Sequence, residues 1–66
     1  MKNNLRQYRA DKKLTQQDLA EAIGVSRQSI IAIESGKYVP STLLSLKLAE
    51  KLAVSVEALF ELERGD

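Results

Sequence analysis

The side chains best equipped to recognise a ligand in this sequence are Arg27 and Gln28, followed one turn on by Ile31 and Ala32. At about 100° per residue these four spread over one arc of a helix, while Ile30 and Ile33 point to the opposite side. Arg and Gln make paired hydrogen bonds to the edges of guanine and adenine, and small apolar groups can meet a thymine methyl. A merely solvated face would more often carry Lys and Glu. Ile31 and Ala32 fit either thymine-methyl contacts or a surface that makes no base contact. The same residues also admit a plainer reading, a helical hairpin with a neutral outer face. Ser26 and Ser29 beside the arc can add bonds to phosphate, although Ser26 has a helix-starting duty in any case.

Catalytic chemistry is poorly provided for. The 66 residues contain no histidine and no cysteine, which removes the commonest general base, metal ligands and any disulfide. Asp18 and Glu21 lie three apart and could share a helix face, but Asp18 is better explained as a capping acid and Glu21 as solvated surface. Gly24, Gly36 and Gly65 are isolated, so no glycine-rich phosphate loop is present. The expectation is no enzyme, no metal and no cofactor.

The recognising arc needs elements to hold it, and residues 15–36, TQQDLAEAIGVSRQSIIAIESG, supply two short helices and a tight turn. Thr15 and Asp18 form a capping-box pattern, with Leu14 and Leu19 placed to staple the entry. Leu19, Ala20 and Ile23 form one face that breaks off at Gly24, a residue that ends a helix cheaply in the left-handed conformation. Ser26 caps the next helix, with Val25 and Ile30 as its staple, and Gly36 ends it.

The flanks continue the pattern. Residues 1–4 are polar and read as frayed. Asn4 can cap a first helix running to about Lys12, with Gln7 in the capping-box position. Pro40 keeps residue 39 extended before a fourth helix over residues 41–52. Leu44, Leu48 and Leu52, with Ser45 and Ala49, face inward there, and Leu43 lies on the flank. Ser55 caps a fifth helix to about Phe60 or Leu62, and the acidic tail over residues 61–66 reads as loose.

The pattern TQ-x-DLA-x-x-IGVS-x-x-x-I-x-x-IE-x-GK-x-x-P resembles the helix-turn-helix of Cro/cI-type (Xre-like) transcriptional regulators, and the similarity extends from about Leu5 to Phe60. The resemblance implies an all-α, compact five-helix domain like that of lambda repressor, in some small members with a short two-stranded pairing of the termini. It implies double-stranded DNA as partner, with the helix-turn-helix at residues 15–35 and base readout by Arg27, Gln28, Ile31 and Ala32. Gln16 matches a family Gln that bonds phosphate and can brace a base-reading side chain. Lys37 and Tyr38, with exposed backbone N–H groups beside them, fall where the family's chain passes a phosphate. Arg9 matches an Arg that pairs with the Glu ending the recognition helix, here Glu34. The family usually has Gly where Ala53 stands; if the backbone there is left-handed, Ala costs about 1 kcal/mol.

Sixty-six residues make a single small domain, 1–66, with one modest core. The net charge of +1 is uninformative, but its distribution is uneven: seven Lys/Arg against four Asp/Glu in residues 1–40, and three against five thereafter. This places a nucleic-acid footprint on the amino-terminal part. Dimers place two recognition helices one turn apart and read a near-palindrome. The family's seam usually lies at the carboxyl end, where Phe60 and Leu62 are the candidates among more apolar groups than that end easily buries. The reading is a cytoplasmic repressor acting as a homodimer, without membrane contact. An antitoxin of the same fold, binding its toxin, and a protein-interaction module stand as alternatives.

Overall fold

Four serine or threonine hydroxyls set the helix starts of this chain, seen in a computed structural model describing residues 1–66. Thr15, Ser26, Ser41 and Ser55 each accept the backbone N–H three residues on, from Asp18, Ser29, Leu44 and Ala58, at 2.9, 3.2, 3.1 and 3.0 Å. Each satisfies a donor that the helix itself cannot. At Thr15 the bond is reciprocal, because Asp18 Oδ2 accepts the Thr15 N–H at 2.9 Å. The order is β1 (Lys2–Asn3), α1 (Leu5–Asp11), α2 (Gln16–Ile23), α3 (Arg27–Glu34), α4 (Thr42–Leu52), α5 (Val56–Leu59) and β2 (Phe60–Glu61).

Four of these helices end the same way, on a residue with a left-handed backbone: Lys13, Gly24, Gly36 and Ala53, at φ of 57°, 78°, 81° and 57°. The next N–H then turns back to a carbonyl inside the helix, as Leu14 does to Arg9 and Val54 to Ala49. At Gly24 an added Cβ would meet nothing within 4 Å, so the preference for glycine there is conformational rather than steric. Ala53 and Lys13 adopt the same backbone with a Cβ, at about 1 kcal/mol each. Ala53→Gly is therefore expected to raise stability by about 0.5–1 kcal/mol, and Gly24→Ala to lower it by a similar amount. Urea unfolding midpoints of the two variants check this; a destabilised Ala53→Gly would show that the left-handed Ala carries no strain.

The helices enclose Leu5, Leu19, Ala20, Ile23, Ile30, Ile33, Leu44, Leu48, Ala49, Leu52 and Leu59. Their i, i+3 and i+4 spacing puts one apolar stripe of each helix into a common centre. Tyr8, Leu14, Val25, Val54, Val56 and Phe60 pack around it.

The chain ends form the short two-stranded pairing that the resemblance implies for some members, and they correct the reading of both ends as frayed or loose. Residues 1–4 are not frayed: Lys2 and Asn3 pair antiparallel with Glu61 and Phe60. That pairing cuts α5 short at Leu59, because Phe60 turns extended to join the strand. The tail is not loose either, since Asp66 Oδ2 accepts the Glu63 N–H and its Oδ1 meets the Met1 ammonium at 3.1 Å. Asn4 occupies the position before α1 but makes no capping bond, and Gln7 completes no box. The Leu5 N–H goes instead to Asn3 Oδ1 at 3.2 Å. Asn4 reaches across the fold, donating from Nδ2 to the Ala58 carbonyl at 3.0 Å and to Glu61 Oε2 at 2.6 Å.

Candidate nucleic-acid interface

Helix α3 has one acidic residue, Glu34, and the fold removes that charge from the surface. Its side chain is 1% exposed. Arg9 Nε and Nη2 donate to Glu34 Oε2 and Oε1 at 2.6 and 3.2 Å, a bidentate pair. Arg9 Nη1 also donates to the Leu14 carbonyl at 2.8 Å, so one guanidinium ties α1, the α1–α2 turn and the end of α3 together. Gln16 Nε2 donates to Glu34 Oε1 at 3.1 Å, and Arg6 Nε lies 3.5 Å from the same oxygen. Burial by itself pushes the Glu34 carboxyl up. The hydrogen bonds from Arg9 and Gln16 and the Arg9 charge outweigh it and hold the carboxyl below the ordinary glutamate value.

With Glu34 neutralised, the exposed part of α3 is Arg27 and Gln28 at its first two positions. Ile31 and Ala32 follow, half-buried rather than free. Ser29 is also half-buried. Its N–H is committed to Ser26 Oγ, and the two hydroxyls lie 3.1 Å apart. Arg27 shares an open, wholly polar groove with Arg9, Thr15, Gln16 and Gln17. One Gln16 amide hydrogen is spent on Glu34; the second hydrogen and the carbonyl oxygen make no other bond within the chain. Arg9 being spent on Glu34, the groove offers one unpaired cation, Arg27, beside three amide or hydroxyl side chains, and no carboxylate lines it.

The loop after α3 differs in one respect from the sequence reading. The N–H groups of Lys37 and Tyr38 are not free, since both donate to the Ala32 carbonyl, at 3.0 and 3.2 Å. Ser35 Oγ donates to the same carbonyl at 3.0 Å. The closing turn of α3 consumes these donors, and within residues 36–39 only the Val39 N–H has no acceptor in the chain. What the loop presents is the exposed Lys37 ammonium, the exposed Tyr38 ring with its hydroxyl, and that one N–H.

Two short helices joined by a tight turn at Gly24 form a helix-turn-helix. The helix-turn-helix family model matches residues 5–65. The chain belongs to the helix-turn-helix family of transcriptional regulators. Among relatives of this family, it is 57% identical over 60 residues to the HTH-type transcriptional regulator MJ0272 of Methanocaldococcus jannaschii, covering 91% of both chains. It is 44% identical over 63 residues to YgzD of Bacillus subtilis, covering 96% of both. Among solved structures, the restriction-modification controller protein C.AhdI from Aeromonas hydrophila superimposes with a TM-score of 0.78 at 36% identity, over 85% of each chain. The SOS-response repressor LexA from Eubacterium rectale gives 0.82 at 28% identity, over 96% of this chain and 67% of that one.

Thr15 and Gln17 line the groove beside Arg27, and Arg6 lies against Glu34, places that sequence reasoning missed. Arg6 stands one turn before Arg9 on the same face of α1, so helical spacing could have found it. The type and spacing of Thr15 indicate only its cap. Gln17 carried no signal beyond its type, and its amide also donates to Glu21 Oε1 at 3.2 Å. Phe60 packs against its own core and joins β2, while Leu62 stands 85% exposed beyond it. No group of three or more His, Cys, Asp or Glu is placed to hold a metal ion, and no helix is long and apolar enough to cross a membrane.

Proposed function

We propose that this protein is a repressor that binds a near-palindromic operator in the cytoplasm as a homodimer. The observation that supports it most is the opening of α3: exposed Arg27 and Gln28 on a helix whose only carboxylate is buried and paired. Arg27, Gln28, Ile31 and Ala32 read base edges. Gln16, Ser26, Ser29, Lys37 and Tyr38 hold phosphates and fix the register. The likeness to a controller protein and to LexA supports the regulatory role. Blocking a promoter by occupancy needs no chemistry beyond binding.

Selection of bound sequences from random duplex DNA by the full chain tests this. The expected result is two inverted half-sites whose centres lie one helical turn, about 34 Å, apart. Recovery of unrelated sequences, with no enrichment over successive rounds, would remove sequence-specific readout. A single uninverted half-site would remove the homodimer.

A further inference from the structure

Helix α3 is eight residues long, with Arg27 and Gln28 at one end and Ile33 and Glu34 at the other. Ile30 and Ile33 anchor it in the core through their side chains. Its backbone, by contrast, is bonded almost wholly within itself and its closing loop. Ser35, Gly36, Lys37 and Tyr38 turn back to the carbonyls of Ile31, Ala32 and Ile33. One bond alone reaches the α3 backbone from another element. Asn3 Nδ2, thirty positions away on β1, donates to the Ile33 carbonyl at 2.5 Å. That carbonyl is among the last four of the helix, which have no intrahelical donor.

Asn3 is itself firmly held. Its backbone pairs with Phe60, which packs against the core. The N–H of the next residue, Asn4, donates to the Leu59 carbonyl at 2.7 Å. Asn3 Oδ1 accepts the Leu5 N–H at 3.2 Å. Only one orientation of the amide serves both partners, because the Ile33 carbonyl cannot donate and the Leu5 N–H cannot accept. A short side chain on a paired strand is a stiff link. The Arg9 pair grips the same turn of α3, but through the longer Glu34 side chain rather than the backbone.

Helical leverage makes this grip matter for recognition. Arg27 lies about 9 Å from Ile33 along the axis, so a tilt of about 6° about Ile33 displaces it by about 1 Å. Groups that must meet a ligand in one geometry need to be held within about 0.5 Å. We infer that Asn3 is a positioning residue for base readout: by holding the Ile33 carbonyl from the β1–β2 ribbon, it sets the tilt at which Arg27 and Gln28 meet the bases. This rests on the reading of α3 as the base-reading helix.

Titration of Asn3→Asp, in the full chain, against the duplex recovered by selection and its singly substituted versions tests the inference. Asp keeps an oxygen for the Leu5 N–H, loses the donor to Ile33 and sets a carboxylate against the carbonyl end of α3. Its added charge weakens every duplex alike and cancels in the ratio of preferred to substituted duplex. That ratio is expected to fall at least about fivefold at more than one base pair of each half-site, where loss of one base contact relaxes a single position. Asn3→Ala, which adds no charge, should do the same. Urea unfolding of each variant fixes conditions in which it is folded, and the titrations are run there. In the wild-type chain, nuclear Overhauser contacts from the Asn3 side-chain amide to the Ile33 end of α3 are expected, a readout that needs no variant. Absence of those contacts, or ratios unchanged in the folded variants, or a uniform loss on every duplex with Asn3→Ala, would each overturn the positioning role while leaving α3 as the reading helix. A wild-type chain with no preference among duplexes would overturn the base-reading role of α3, and the inference with it.

Discussion

Arg9→Ala is expected to remove about 3–5 kcal/mol of stability, a large share of what a domain this size has. Removing one member of a buried, hydrogen-bonded ion pair costs about 3–5 kcal/mol, because the remaining charge is stranded. A domain of 66 residues has a total stability of roughly 3–10 kcal/mol. Arg9 is 14% exposed and Glu34 1%, so solvent can do little to compensate. Gln16 and Arg6 would remain near the carboxylate, but Gln16 brings no charge and the Arg6 side chain is 73% exposed. The double variant Arg9→Leu/Glu34→Leu should recover most of the loss, since it strands nothing. Urea unfolding of both proteins decides the matter, and equal destabilisation of the single and double variants would show that packing rather than charge sets the cost.

The same pair fixes the acid side of stability. The Glu34 carboxyl is held below its ordinary value of 4.5, so the folded state binds fewer protons than the unfolded chain as the pH falls. Its contribution is complete above that ordinary value and is lost as pH drops through the folded one. In Glu34→Gln this part of the acid loss should vanish. What remains belongs to Asp18 and Asp66, both also held below the ordinary aspartate value by hydrogen bonds.

Gln28→Ala and Lys37→Ala should fail in different ways on DNA. Gln28 is exposed at the second position of α3, where a side chain can pair with a base edge. Losing such a contact costs roughly 1–3 kcal/mol and relaxes preference at one base-pair position in each half-site. Lys37 lies in the loop beyond α3, with its N–H already spent on Ala32, so only its ammonium can reach a phosphate. Losing it should weaken all sequences about equally and lower the salt slope by roughly one per contact. Titration of each variant against singly substituted operators at two salt concentrations separates these outcomes. If Gln28→Ala weakened every operator by one common factor, base reading would pass to other residues or to DNA shape.

The helix starts and stops, the turn at Gly24 and the inward Leu and Ile stripes were legible because each is a relation between residues one to four apart. A cap hydroxyl reaches its N–H within one turn of chain, and a helix face repeats every three or four residues. The site was legible to the same range: which residues open α3, and that they include an Arg and a Gln. Burial along α3 was only partly so, since Ile31 and Ala32 read as outward yet are half-buried.

Residue type and short-range spacing by themselves therefore determined five helices, their caps and the make-up of the recognising arc. Tertiary structure alone decided which asparagine serves α1, since the role of Asn4 depends on Ala58 and Glu61, more than fifty positions away. It decided the length of α5 in the same way, because Phe60 leaves the helix to pair with Asn3. It gathered Arg6 and Gln16 on one buried carboxylate. The physical reason is common to all three. A polar group takes whichever partner the folded chain brings within about 3 Å, and local sequence records only the partners that are near in the chain.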